Sequence, residues 1–174
     1  HQISVVFICL LLLSIFTITL INGLFLEKYY VSKKVEVLDE AKEVLSQMNL
    51  DDILQYDTDI EEDKKGATDE ISDEIERSSS RNNLTWIIVN EENSGYYYWG
   101  ENNMAKMLRS KLFGYINDLD QDMQHSRVLK KTDTCTMWQV HDRFAGMEYV
   151  ECWGQFDNGY YFLIRSPLES IEES

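Results

Sequence analysis

From Ile3 to Leu26 the chain carries no charged side chain, and Leu, Ile, Phe and Val dominate the run. No other feature constrains the fold so strongly. About 20 apolar residues suffice for a helix to cross the hydrocarbon of a bilayer. The apolar part of a secretory signal is shorter, about 7–15 residues, and a small-residue cleavage site follows it. Here no A-x-A pattern appears before Leu24-Phe25-Leu26. We therefore read residues 1–26 as a retained transmembrane helix rather than a cleaved signal. The chain opens on His1 and stops in a charged run at Ser174, as an excerpt of a longer protein would.

The helical pattern does not stop at the end of the apolar run. No Gly or Pro interrupts Leu24 to Met48, and Val31, Val35, Leu38, Ala41, Leu45 and Met48 recur at steps of three and four, the stripe of one helix face. The span is expected to continue as one long helix. An acidic segment follows: Asp51 to Glu76 holds twelve acids against two lysines, a pattern of solvated surface or flexible connection. Within it Asp57 to Thr68 hints at an EF-hand loop, but Glu62 stands where glycine belongs and Thr68 where glutamate belongs. A short helix is expected from Thr68 to Ser80. The overall charge of −15 argues against a nucleic-acid partner, which would need a basic face.

Beyond Asn83 the pattern changes to strands. Leu84 to Val89 and Tyr96 to Trp99 form a hairpin, and Glu101 to about Gln121 reads as a helix with Met104, Met107, Leu108, Leu112, Tyr115, Ile116 and Leu119 on one side. Three further strands are expected at about Arg127 to His141, Met147 to Phe156 and Tyr160 to Arg165, with Pro167 opening a final helix. The fold class is thus α+β: a transmembrane helix continuing into a long helix, packed on an antiparallel sheet of about five strands. If Asn158-Gly159 is a two-residue turn, Phe156 faces Tyr161, and a hairpin centred between Arg143 and Phe144 sets Cys135 opposite Cys152. Strand alternation then puts Cys135, Met137, Val150, Cys152, Phe156, Tyr161 and Leu163 on one face. Trp138, Val140, Tyr149, Trp153, Phe162 and Ile164 fall on the other. Both faces are apolar, so both should be covered, one by the long helix.

Three blocks of this sequence resemble known proteins together: Phe25-Leu26-Glu27-Lys28-Tyr29-Tyr30 with Lys33-Lys34, Leu84-Thr85-Trp86-Ile87-Ile88-Val89, and Trp153 through Ile171. They look like the N-terminal sensor region of Gram-positive membrane sensor histidine kinases of two-component systems. The resemblance implies a PAS-like, Cache-type sensor over residues 27–166, including the acidic segment and short helix at 51–80. It also implies that residues 167–174 begin a helix leading to a second transmembrane segment. It further implies a cell-membrane location with the soluble domain extracytoplasmic, a homodimer, and a small-molecule or protein ligand. A cytoplasmic kinase domain outside these residues would use ATP and Mg and pass phosphate to a cognate response regulator.

No catalytic residue is carried over. Arg165-Ser166-Pro167-Leu168 shares four letters with the phospho-acceptor box of these kinases, but the acceptor histidine would fall at Phe162, which has no nucleophilic nitrogen. No glycine-rich ATP lid or phosphate loop is present, and these residues imply no cofactor. His1, His125 and His141 lack metal-ligand spacing, so no metal site is expected. The aromatic cluster Trp138, Tyr149 and Trp153 reads either as packed core or as the lining of a ligand pocket. Cys135 and Cys152 read either as two buried thiols or as a candidate cross-strand disulfide. Rival readings are the sensor of a chemoreceptor or cyclase, and a single-span membrane-anchored surface enzyme or adhesion domain.

Overall fold

A computed structural model describes residues 1–47, 69–90, 96–100 and 104–168, with the backbone alone described at 69–72. The acidic stretch at 51–68, the EF-hand-like pattern within it and the chain beyond Leu168 lie outside the described residues. The chain forms two compact units, His1–Lys33 and Lys34–Ser174. Helix α1 is continuous over Gln2–Ser46, as the unbroken pattern predicts. Its apolar stretch has a mean hydropathy of 2.8 and is nowhere covered by protein, and its length and composition suffice to cross a membrane. The hydroxyls of Ser14, Thr17 and Thr19 donate back to the carbonyls of Leu11, Leu13 and Ile15 at 2.8 Å. Each polar group is thereby satisfied within the helix, as a lipid environment requires.

The second unit is built on one sheet. Its strands are β1 (Thr85–Val89), β2 (Tyr96–Trp99), β3 (Arg127–Lys131), β4 (Cys135–Asp142), β5 (Met147–Gln155) and β6 (Tyr161–Pro167). They lie in the order β2-β1-β6-β5-β4-β3, all antiparallel. The sheet has six strands, not five. The expected strand from Arg127 to His141 is two strands joined by a tight reversal at Thr132-Asp133-Thr134. The Thr132 N–H donates to the Cys135 carbonyl at 2.8 Å, and the Cys135 N–H donates to Thr132 Oγ1. Helix α2 covers Asp69–Arg81 and helix α3 covers Ala105–Ile116, with a 3₁₀ turn at Gln121–His125. Leu119, expected on the buried side of α3, lies beyond the helix end and is 77% exposed.

Both sheet faces are covered, as their apolar character demands. On one face Leu38, Ala41 and Leu45 of α1 and Ile75 of α2 pack against Cys135, Met137, Val150, Cys152, Phe162 and Ile164. Trp86 is tied to α2 by a hydrogen bond from its indole N–H to Ser79 Oγ at 3.0 Å. On the other face Leu108, Leu112 and Tyr115 of α3 pack against Ile87, Val89, Trp138, Val140 and Leu163.

The composition of these faces corrects the assignment of β6. The pairing is Gly154 with Phe162 and Gln155 with Tyr161, one residue away from the register expected of a two-residue turn. Such a slip exchanges the faces of a whole strand, so Phe162 and Ile164 join the cysteines while Tyr161 and Leu163 join the tryptophans. The cause is local. The connection is a three-residue loop, Asp157-Asn158-Gly159. It closes through Phe156 N–H to the Tyr160 carbonyl (2.8 Å) and Gly159 N–H to the Phe156 carbonyl (2.9 Å). Gly159 has φ of 91°, the left-handed residue of a bulged hairpin.

The preceding hairpin has a four-residue loop with Asp142 facing Met147. Cys135 therefore lies opposite Gly154, and Met137 lies opposite Cys152. The shift is two residues, so the faces of β4 and β5 stand as expected while the cysteines become diagonal neighbours. At its other end, Pro167 closes β6 instead of opening a helix. The Leu168 N–H still bonds to the Glu148 carbonyl at 2.9 Å. Proline is tolerated there because a strand end has a free amide position to lose.

Candidate functional site

Beneath α3, alternation points Tyr149, Glu151 and Trp153 of β5 to one side, and β4 and β6 present Trp138 and Arg165 beside them. Register makes Glu151 the direct partner of both Trp138 and Arg165. Helix α3 contributes Lys111 and Tyr115 one turn apart. Its inward stripe thus carries a cation and a phenol among leucines.

Trp138, Tyr149 and Trp153 all lie on the α3 side of the sheet. Trp138 and Trp153 have ring centroids 5.4 Å apart, and Tyr115 packs edge-on to Trp138 at 4.8 Å. Tyr149 lies under the Arg165 guanidinium at 4.0 Å. The cluster is packed beneath α3 and centred on charged residues absent from the sequence-based reading.

Those residues form an alternating chain of opposite charges. Arg143, exposed on the β4–β5 loop, bonds Asp122 at 2.7 Å, and Asp122 bonds Lys111 at 2.9 Å. Lys111 lies 3.9 Å from Asp142, Asp142 takes Arg165 at 2.6 Å, and Arg165 lies 3.7 Å from Glu151. Tyr115 and Trp138 both donate to Glu151 Oε1, at 2.6 and 3.0 Å. Asp142 also receives the Phe144 and Ala145 amides on Oδ1 at 2.8 and 3.2 Å. One carboxylate therefore shapes the hairpin loop and anchors the arginine.

Charge is costly to bury unless paired and hydrogen-bonded, and Asp142 and Glu151 are both 0% exposed. Burial pushes the Glu151 carboxyl above its ordinary value, against hydrogen bonds from Tyr115 and Trp138 and the field of Arg165. Burial also acts on Asp122 and Asp142. There the bonds from Lys111 and Arg143, and from Arg165, outweigh it and hold both below the usual carboxylate range. Burial, with Glu151 beside it, drives the Tyr115 phenol far upward, so Tyr115 acts as a donor. Among the described residues, three buried side-chain atoms have no hydrogen-bond partner: Glu151 Oε2, Arg165 Nε and Trp153 Nε1.

Compared with known proteins, the chain matches no family model, no curated protein and no solved structure.

The network contains no serine, threonine or cysteine, and its one hydroxyl, on Tyr115, donates to Glu151 Oε1 at 2.6 Å. Among the described residues no group of His, Cys, Asp and Glu is placed to hold a metal. What the network offers is one saturated end, at Asp122 and Asp142, and one unsaturated end, at Glu151, Arg165 and Trp153. A surface groove of about 490 Å³ lined by Glu40, Val44, Asp73 and Arg77 lies on the α1–α2 side instead.

The cysteines lie on the α1 side of the sheet, both buried and both free thiols. The expected direct opposition is replaced by a diagonal placement, with Cys135 opposite Gly154 and Cys152 opposite Met137. Two groups donate to Cys135 Sγ: Lys42 Nζ at 3.7 Å and Thr132 Oγ1 at 3.4 Å. The Cys152 hydrogen bond, helped by Thr132 and Lys42 and opposed by burial, brings Cys135 down to about 5. Cys152 is pushed up by the same bond and by burial.

Glu151 and Arg165 were missed in the sequence because each stands alone among apolar neighbours. The available signal was their parity: both occupy inward positions of strands whose adjacent inward residues are aromatic or aliphatic.

Proposed function

We propose that this chain is the extracytoplasmic sensing module of a membrane sensor histidine kinase, with a PAS-like, Cache-type domain. Its role would be to bias an output domain across the membrane according to ligand or partner binding. The observation that carries the reading is the continuity of α1. Helical hydrogen bonding is unbroken from the apolar run to Leu38, Ala41 and Leu45, which are 0–1% exposed in the sheet core. A continuous helix would pass on a displacement that a loose linker would absorb.

The unsaturated end of the charge chain supports a sensing role. A cue alters an equilibrium only through its differential affinity for two states. Glu151 Oε2, Arg165 Nε and Trp153 Nε1, which lack hydrogen bonds, offer contacts that a small polar ligand would make only after α3 lifts. Repacking α3 would then be the event that distinguishes the two states.

Two measurements test the reading. Phe144 is 85% exposed at a hairpin tip, so a Phe144→Cys substitution should react with a membrane-impermeant maleimide on intact cells. Labelling only after lysis would place the domain on the wrong side. In the gene, a second apolar span followed by a helix bearing an H-box should come after Ser174; an ending with no further apolar stretch would remove the kinase assignment.

A further inference from the structure

Cys135 and Cys152 take no part in the charge network, yet their surroundings are specific. Two donors converge on one sulfur, Thr132 Oγ1 at 3.4 Å and Lys42 Nζ at 3.7 Å, with Cys152 its diagonal neighbour across the strand pair. An ionised sulfur accepts from a hydroxyl and an ammonium better than a neutral thiol does. Cys152 is 0% exposed and Cys135 is 4% exposed, so reagents should reach Cys135 first. Cys135 also opens β4 directly after the exposed Thr132–Thr134 turn, and the Lys42 side chain beside it is 17% exposed.

We propose that Cys135 and Cys152 are a hydroperoxide-reactive dithiol pair in which Cys135 attacks, Lys42 and Thr132 hold it ionised, and Cys152 resolves. The Cys135 thiolate attacks one oxygen of the peroxide; the O–O bond breaks, giving Cys135 sulfenic acid and hydroxide, or alkoxide from an alkyl hydroperoxide. Cys152 then gives its proton and attacks the sulfenic sulfur, releasing water and forming the disulfide. Two electrons pass from the thiols to the peroxide. With Cys135 4% exposed, the oxidant in this proposal is a small one.

The bond has a mechanical consequence. Diagonal cross-strand residues have Cα atoms about 7–8 Å apart, whereas a disulfide holds them at about 4.4–6.8 Å. Oxidation therefore draws β4 and β5 together at this end and removes the negative charge facing Lys42. Lys42 belongs to the same turns of α1 as Ala41 and Leu45, which are sealed in the core. The chemistry stands on the sulfur geometry alone and does not require the receptor reading.

The test uses the full chain in detergent micelles with Cys9→Ser, leaving two thiols. Hydrogen peroxide should lower the intact mass by two hydrogens, reversibly with dithiothreitol. With Cys152→Ser, Cys135 should give a dimedone adduct, while with Cys135→Ser, Cys152 should stay unreacted. Lys42→Gln should slow oxidation at neutral pH by about tenfold or more and raise the midpoint of its pH–rate profile. If that variant does not fold, Thr132→Val at an exposed turn position should move rate and midpoint the same way by less. Two thiols still fully alkylated after peroxide, reaction beginning at Cys152, or a rate midpoint at an ordinary thiol value in the unaltered pair each overturns the proposal.

Discussion

Glu151 and Arg165 face one another across β5 and β6, with their charged atoms 3.7 Å apart and 0% and 2% of their side chains in contact with solvent. Arg165 is shared: Asp142 holds the same nitrogen at 2.6 Å. One guanidinium thus neutralises two buried carboxylates from different strands.

Replacing Arg165 should therefore cost more than replacing Glu151. Arg165→Met strands both acids and is expected to lower stability by about 3–5 kcal/mol. Glu151→Gln keeps an acceptor for Tyr115 and Trp138 and should cost about 1–3 kcal/mol. Urea unfolding in micelles, followed by tryptophan fluorescence, gives the order directly; a larger loss for Glu151→Gln would contradict the shared role of Arg165.

The pH dependence separates Glu151 from its neighbours. Its carboxyl is raised above the ordinary 4.5, so folding favours the protonated form. That contribution is complete below pH 4.5 and is lost as pH rises through the folded value. Asp122 and Asp142, held below 3.8, act oppositely: their contribution is present above that pH and is lost on further acidification. Cys135, lowered from 9.0 to about 5, likewise stabilises above the ordinary thiol range and loses its contribution as pH falls to about 5. Subtracting the Glu151→Gln curve from that of the unaltered chain isolates Glu151, and the difference should decline from pH 4.5 upward. A difference that rises with pH would refute the assignment.

Gly154 is expected to tolerate no side chain. A Cβ there would lie 2.1 Å from the Thr134 carbonyl oxygen and 2.8 Å from Cys135 Cα, and backbone has little freedom to give way. Gly154→Ala should destabilise by about 1–3 kcal/mol or more and disturb the cysteine contact. A thermal scan together with alkylation rates of Cys135 would report both effects.

Along α1, position decides the cost of one and the same substitution. Leu38→Ala and Leu45→Ala remove side chains that are 0% exposed and should each cost about 2–5 kcal/mol. Leu12→Ala, at a residue 61% exposed, should leave the unfolding midpoint of the sheet unit unchanged. Equal effects at the three positions would deny that α1 is docked through its last turns.

The sequence by itself determined the apolar helix, its uninterrupted run to Ser46, and the two apolar faces of β4 and β5. Each of these is a local period, readable because helices and strands repeat over a few residues. The stripe Leu38, Ala41 and Leu45 was legible for that reason, as was the grouping of Trp138, Tyr149 and Trp153. Tertiary structure alone decided the rest. The faces of β6 turned on one extra loop residue, whose placement depends on the hydrogen bonds around Gly159. Arg127 to His141 read as one strand because the break rests on one backbone bond, Thr132 N–H to the Cys135 carbonyl, and one from the Cys135 N–H to the Thr132 hydroxyl. The charge chain was hidden for a different reason. Glu151, Arg165, Asp142, Lys111 and Asp122 come from five separate elements, and a charge is stable in a core only when its partners arrive there with it. No local window of sequence contains that encounter.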